Sequence, residues 1–369
     1  MAQVLRFGDF ASFKYGKMPN KNELKESGIY PVYSGYRYLG YYDEYNTEAN
    51  QLIVVARGVG GTGDVKLTKE RCYLTNLSIS ADIDEDVALP EFLYYYFKPH
   101  NLRYLDSGSA QSQITISVLE KVSIPIPDIS EQKAIVGYLK LIDDKIEENE
   151  KINKNLYQQL FALYDYYCDS ADDGEIELGA LCQFQEGYVN PAQTHPEYFD
   201  GNVKWLRAVD INESFIIETS RTLTQTGFQS AKKSAYLFSP NTIAISKSGT
   251  IGRLGIVGDY MCGNRAVINI APKDPLLLPY IYAFLKSHQK QFPDLAVGSV
   301  QKNLYVSLLE PLPVRILAPD SLSEFCNAGN AILNAVYNNC QENIRLAQLR
   351  DTLLPRLMTG ELDVSRLTL

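Results

Sequence analysis

SGSAQSQITISVLEKVSIPIP at residues 107–127 and VGSVQKNLYVSLL at residues 297–309 are two versions of one phrase. A shift of 190 places Gly108 on Gly298, Ser109 on Ser299, Gln111 on Gln301, Ser117 on Ser307, Leu119 on Leu309 and Glu120 on Glu310. Ile114 then meets Leu304, and Ile116 meets Val306. Upstream the echo continues at slightly different offsets. LPEFLYYYF from Leu89 answers LPYIYAFL from Leu278, TNLSI around Asn76 answers GNRAV around Asn264, and VVARGVGGTG from Val54 answers AISKSGTIG from Ala244. Gly8, Phe13 and Gly16 match Gly179, Phe184 and Gly187. An echo of this length, with small insertions, means two diverged copies of one domain. Each copy reads as mixed α+β. Short β-branched runs (QLIVVA; NTIAIS and AVINIA) alternate with Gly-rich turns, and a short helix follows each Leu-Pro.

Helical spacing follows each copy. After PIPDI, Ser130 is expected to cap a helix, with Glu131 at its positive end. Ile135, Leu139, Ile142, Ile146, Asn149, Asn153, Leu156, Leu160, Leu163 and Tyr167 then step 4-3-4-3, a coiled-coil seam with two polar layers. After PDSL, Ser323 is expected to cap a second run. A shift of 193 sets Ile332, Asn339, Leu346, Leu349 and Leu353 on the same seam. The narrow stripe and its asparagines favour two helices packed on each other, antiparallel within the chain, over helices that only cover a core. About 38 residues at about 1.5 Å each make a rod near 57 Å.

The 369 residues suffice for two or more domains with their own cores. No stretch reaches about 18 apolar residues, and MAQVLRFGDF lacks the order of a secretion signal, so no membrane association and a cytoplasmic location are expected. Six scattered cysteines and three histidines form no metal-ligand spacing, so no metal site is expected. The net charge of −9 argues against a generic polyanion binder. Yet residues 129–173 alone hold 5 basic and 10 acidic side chains, whereas residues 174–319 hold 13 and 12. A nearly neutral domain can still present one basic face.

The search for catalytic motifs is negative. GVGGTG at residues 58–63 has the letters of a dinucleotide fingerprint, but the DVKLT that follows reads as strand, so a hairpin turn is expected. Asp64 and Val65 stand where a phosphate loop needs Lys and Ser or Thr. Pro127-Asp128 and Glu131-Gln132-Lys133 are too close together for a nuclease centre. Asn190-Pro191-Ala192 falls short of the tetrapeptide with which amino-methyltransferases hold a flipped adenine. No catalytic residue is assigned.

The junction SIPIPDISEQKAIVGYLKLIDDKIE (residues 123–147), the repeat of domain plus long helix, and the closing LRDTLLPRLMTGELDV (residues 349–364) resemble the specificity subunit of type I restriction-modification enzymes. The likeness covers essentially the whole chain. One departure is PLPVRILAPDSLSEF (residues 311–325), which keeps Pro, Ser and Glu but loses the Gln-Lys-x-Ile-Val core. The resemblance implies an α+β chain of two mixed α/β target-recognition domains separated by two long helices that form an antiparallel coiled coil. The segments would be a first recognition domain at 1–128, a central spacer helix at 129–173, a second recognition domain at 174–319, and a distal spacer helix with tail at 320–369.

What the resemblance implies about activity is recognition without chemistry. Each domain would read one half of a bipartite, asymmetric site in double-stranded DNA, with an unread gap of several base pairs. Two modification subunits, which methylate adenine N6, would dock on the helices, and restriction subunits would add an ATP-dependent endonuclease. S-adenosylmethionine, ATP and magnesium would then sit on the partners, with no cofactor in this chain. The rival readings are a coiled-coil scaffold and a stand-alone DNA-modifying enzyme. The first leaves two large repeated domains unexplained, and the second lacks a motif.

Base edges are read by forked groups, and phosphates by Lys, Ser, Thr and backbone amides. On that basis the DNA-contacting candidates of the first domain are Arg37, Arg57, Lys66, Asn76, Ser109, Gln111, Ser112 and Gln113. Those of the second are Lys247, Ser248, Arg253, Asn264, Arg265, Ser299, Gln301, Lys302 and Asn303. The tyrosine run IYPVYSGYRYLGYYDEY, which starts at Ile29, is expected to be aromatic β surface, with only Arg37, Tyr33 and Tyr36 worth testing.

Overall fold

A computed structural model describes residues 2–35, 37–58, 61–99, 101–106, 112–169, 174–299 and 301–362. Packing divides the chain into two units, Met1–Lys145 with Arg345–Leu369, and Ile146–Ile344.

In the first unit, β1 (Gln3–Arg6), β2 (Ala11–Tyr15), β3 (Tyr30–Ser34), β4 (Arg37–Tyr42), β5 (Leu52–Val55), β6 (Val65–Leu67), β7 (Tyr73–Leu74) and β8 (Ser78–Ile83) precede α1 (Pro90–Phe97), α2 (Ile116–Leu119) and β9 (Ser123–Ile126). The long helix α3 (Ile129–Asp169) begins here. An antiparallel sheet has the order β2-β8-β5-β6, a smaller one β4-β3-β7 with β3 and β7 parallel, and β1 pairs with β9. β5 is apolar at every position because both its faces are covered. Leu52 and Val54 join the main core with Phe92 and Leu93 of α1, while Ile53 joins Cys72 and Leu74 on the other face. GVGGTG joins β5 to its antiparallel partner β6, a hairpin as the sequence predicts.

The second unit repeats this plan. Its elements are β10 (Glu175–Glu177), α4 (Leu178–Leu181), β11 (Cys182–Glu186), β12 (Phe199–Leu206), β13 (Phe215–Ile216), β14 (Thr222–Leu223), α5 (Gln225–Gln229), β15 (Thr242–Ser246), β16 (Leu254–Val257), β17 (Cys262–Gly263) and β18 (Val267–Pro272). α6 (Leu278–Ser287), α7 (Phe292–Leu295), α8 (Val306–Leu309), β19 (Pro313–Arg315) and α9 (Pro319–Met358) follow. The sheets are β11-β18-β15-β16-β13, β14-β12-β17 and β10-β19, the orders of the first unit with β13 added at one edge. Equivalent backbone bonds fix the repeat. Gly8 N–H donates to Glu120 O at 3.0 Å, and Gly179 N–H to Glu310 O at 2.9 Å.

One register differs from the letter match. Gly16 N–H bonds Ser78 O and Gly187 N–H bonds Val267 O, while Leu77 N–H turns onto Thr75 Oγ1 and Ala266 N–H onto Asn264 Oδ1. Asn264 is therefore the counterpart of Thr75, and Arg265 that of Asn76. The shared asparagine letter misled, because a threonine hydroxyl and an asparagine carbonyl make the same turn.

The two long helices pack antiparallel. In the second unit, Asn149 Nδ2 donates to Glu342 Oε2 and Asn343 Oδ1, both at 2.8 Å, and Asn339 Nδ2 donates to Asn153 Oδ1 at 2.8 Å. Tyr164 then meets Phe325, and Tyr167 donates to Glu324. In the first unit, Asp143 accepts from Arg350 at 2.6 Å and from Tyr95 at 2.9 Å.

Three details of the helices depart from expectation. α3 starts at Ile129, capped by Asp128, whose Oδ1 accepts from Glu131 N–H at 2.9 Å, so Ser130 lies inside the first turn. α9 starts at Pro319, whose fixed φ and missing N–H suit a first helical position, so Ser323 is also internal. Leu349 is 48% exposed, and the buried stripe near the helix end runs through Leu354 and Leu357. The reason is that the helices also cover cores: Ile135 and Leu139 enter the first core with Leu354 and Leu357, and Leu160, Tyr164 and Phe325 enter the second. A core-facing stripe is wider than a coiled-coil seam and displaced from it.

Each unit fastens its helix differently. Gln132 is fully buried and makes three bonds: Leu89 N–H donates to Oε1 at 2.8 Å, and Nε2 donates to Val87 O at 2.9 Å and Pro127 O at 2.8 Å. In the second unit the equivalent position is Leu322. There Leu278 N–H turns back onto Pro275 O, and Leu276 O, the counterpart of Val87 O, accepts from Asn330 Nδ2 at 3.0 Å. This accounts for the lost glutamine of the second junction.

All six cysteines are reduced. Burial pushes the Cys72 and Cys326 thiols up to about 11 and those of Cys182 and Cys262 to about 12, from an ordinary 9.0. Iodoacetamide at pH 8 is expected to spare these four in the folded protein and label them after denaturation. Because the folded values are raised, their contribution to stability is complete below about pH 9 and is lost as pH rises towards 11–12. Peptide mapping that finds native-state labelling would contradict the burial. Among the described residues, no helix is long and apolar enough to cross a membrane, and no group of three His, Cys, Asp or Glu could hold a metal ion.

Candidate nucleic-acid interface

In the first unit, four loops meet beyond the end of β5. Ala56 N–H and Arg57 N–H both point to Leu77 O, Arg57 bridges to Gln113, and Ile114 N–H bonds Ala56 O at 2.9 Å. Ser34 and Thr75 join hydroxyls at 3.1 Å. Gly35, at φ +61°, lets the β3–β4 hairpin turn beside Arg57, whose carbonyl is 3.6 Å from where a Cβ would sit. Arg37, Arg57, Asn76, Ser112 and Gln113 are thus brought to one region. Asp106 organises it by accepting from Ser112 Oγ and, at 2.8 Å, from Gln113 N–H. Arg57 is half-buried, and its Nε has no hydrogen-bond partner among the described residues.

Lys66 is not part of that cluster. It pairs with Ile53, four residues back from Arg57 along the strand and on the order of 13 Å away. Ser109, Gln111 and Tyr36 lie outside the described residues. The neighbouring tyrosines pack edge to face, Tyr33 on Tyr38 and Tyr42 on Tyr73, as an aromatic β surface rather than a row of open stacking platforms.

The second unit builds the equivalent region from different side chains. Lys247 N–H bonds Ala266 O at 2.7 Å, Leu304 N–H bonds Lys247 O at 2.9 Å, and Asn264 N–H bonds Leu206 O at 2.9 Å. Val297 and Asn303 close a loop that carries Ser299, Gln301 and Lys302, all exposed. Ser248 follows Lys247, and Arg265 is exposed at the tip of the neighbouring turn. Arg253 closes the hairpin, its N–H bonded to Ser246 Oγ at 2.8 Å.

Three candidates of this unit have side chains already engaged. Asn264 spends its carbonyl on the turn, and Asn303 Nδ2 bonds Gln301 O at 3.1 Å. Lys247 is held by Glu186 Oε1 at 2.7 Å, over the Tyr305 ring.

Sequence reasoning missed two arginines here. Arg207 follows Leu206, donates to Ser220 Oγ at 2.6 Å and lies over Trp205; Arg221 lies over Phe199 at 4.1 Å and bonds Gln193 at 2.9 Å. Their place depends on the pairing of β12 with β14 across a bulge, for which the sequence has no turn signal. Both regions therefore combine cations, amides and hydroxyls on rigid strand ends, the groups that recognise phosphates and base edges.

Comparison with known proteins supplies a family. The profile described as Type I restriction modification DNA specificity domain matches residues 2–158 and again 173–317. The MjaIX type I restriction enzyme specificity subunit of Methanocaldococcus jannaschii is 25% identical over 321 residues, covering 79% of this chain and 74% of that protein. The HindI specificity subunit of Haemophilus influenzae is 24% identical over 363 residues, covering 75% and 78%. Among solved structures, the type I restriction-modification S subunit of M. genitalium shares the fold, with a TM-score of 0.61, 20% identity and coverage of 96% of this chain and 95% of that one.

Proposed function

The chain belongs to the type I restriction-modification DNA specificity family, and from that premise we propose that it reads a bipartite, asymmetric DNA site, one half with each unit. The observation that carries this reading is the pair of loop clusters. They rest on the same backbone bonds but present different side chains, Arg57 and Gln113 in one and Ser248 and Asn303 in the other. A shared frame with different polar groups suits two different sequences of bases.

The chain supplies recognition and no chemistry of its own. Two modification subunits dock on the long helices and methylate adenine with S-adenosylmethionine, and restriction subunits contribute ATP- and magnesium-dependent cleavage. The acidic stretch around Asp143–Glu150 is protein-docking surface in this reading, and part of the DNA charge is met by the partners. Genome-wide mapping of methylated adenine, with and without this gene, tests it. The expected result is loss of one split motif with unlike halves on deletion. A contiguous motif, or an unchanged methylation pattern, would refute the proposal.

A further inference from the structure

The second unit contains a constellation that its twin lacks. Glu186 ends β11, Lys247 follows β15, and Tyr305 caps α8. Lys247 Nζ donates to Glu186 Oε1 at 2.7 Å and stands 4.8 Å from the centre of the Tyr305 ring. Tyr188 Oη donates to Glu186 Oε2 at 3.3 Å, so both ends of the carboxylate are held. The ion pair is mostly sheltered, with side chains 14% and 23% exposed, and Glu186 lines an open depression of about 540 Å³ together with Tyr188, Tyr236 and Tyr305. Backbone equivalence puts Ala56 at the position of Lys247, Tyr15 at that of Glu186 and Thr115 at that of Tyr305.

We propose that Lys247 and Glu186 act together as the reader of one G·C base pair in the half-site of the second unit, with Tyr305 and Tyr188 as positioning residues. This rests on the DNA-specificity role and deepens it.

The argument is one of matching donors and acceptors. After its bond to Glu186, the ammonium keeps two N–H groups, and the carboxylate keeps free lone pairs. Side by side they present two donors and then an acceptor. In the major groove a G·C pair offers the complement, guanine N7 and O6 as acceptors and then cytosine N4–H as donor. Guanine O6 and cytosine N4 are themselves hydrogen-bonded at about 2.9 Å. The 2.7 Å between Nζ and Oε1 fits that spacing. An A·T pair alternates acceptor, donor, acceptor, and would set the carboxylate against an acceptor. Lys247 also lies next to the turn of Asn264 and Arg265 and the loop closed by Asn303, where the DNA-facing candidates of this unit gather.

The test is the methylated motif in cells carrying the gene at its own locus, comparing wild type with Lys247→Met, Glu186→Gln and Lys247→Arg. Lys247→Met and Glu186→Gln are expected to relax one and the same G·C position by about ten- to a hundredfold, leaving the other half-site intact. Lys247→Arg, whose guanidinium forks onto O6 and N7, is expected to keep that guanine and sharpen its selection. It decides the matter even if the other two variants fail to fold. Relaxation at an A·T position, uniform weakening across the half-site, or a Lys247→Arg motif that loses the guanine or keeps wild-type selectivity at every position would overturn the assignment. A wild-type gene on which no methylated sequence depends would sink the specificity reading itself. A dependent motif that these variants leave unmoved sinks only the base-pair assignment.

Discussion

Gln132→Leu is expected to destabilise the first unit by roughly 3–6 kcal/mol, the largest loss for any single side chain outside the apolar cores. Leucine fits the volume but satisfies nothing. Leu89 N–H, Val87 O and Pro127 O would each lose a partner that is itself fully buried, and an unsatisfied buried group costs about 1–3 kcal/mol. Denaturant unfolding followed by hydrogen exchange at the Leu89 amide measures both the loss and its place. The companion Leu322→Ala removes only half-buried apolar surface, because Leu278 N–H is already bonded to Pro275 O, and about 1–2 kcal/mol is expected there. Equal effects in the two variants would contradict the account.

Gly187→Val is expected to cost at least about 3 kcal/mol, at the upper end for overpacking, and to blur recognition by the second unit alone. A Cβ at Gly187 would stand 2.2 Å from Asn264 O and 2.5 Å from Gly263 C, so the backbone must yield. What yields is the turn that carries Arg265. Gly16→Val is the mirror experiment, with a Cβ 2.4 Å from both Leu74 O and Thr75 O, and it displaces the turn that carries Asn76. Each variant is expected to relax one half of the methylated motif and spare the other. Relaxation of both halves by either variant would mean that the turns do not read DNA separately.

The repeat, the sheet-forming runs and the two long helices were legible because each rests on a local or periodic signal: β-branched runs between glycine turns, and apolar steps of four and three. Gly16 and Gly187 were visible as matched letters, but their reason, a strand pressed against a turn about 60 or 75 residues away, is a tertiary fact. Helix starts were misplaced because Asp128 and Pro319 compete with the nearby serines, and only backbone geometry chooses between them. Leu349 was misassigned because the helix ends serve domain cores as well as each other. At the candidate interface, Arg57 and Gln113 could be named from the repeat, whereas Arg207, Arg221 and Glu186 could not. None lies in a motif, and each reaches the site through strand pairings of long separation.

The unlike latches of the two units bear on how such a chain can be shuffled in evolution or at the bench. Val87 O is served by Gln132, only a turn into α3, whereas Leu276 O waits for Asn330, three turns into α9. A crossover placed at the strand-to-helix border would graft each domain onto the other's latch: Leu89 N–H would lose its acceptor Gln132 Oε1, and in the other product Gln132 Oε1 would face Leu278 N–H, already bonded to Pro275 O. Crossovers set beyond Asn330 in α9, or at the matching depth in α3, carry every domain away with its own fastening. The unit of inheritance is therefore longer than the part that reads DNA.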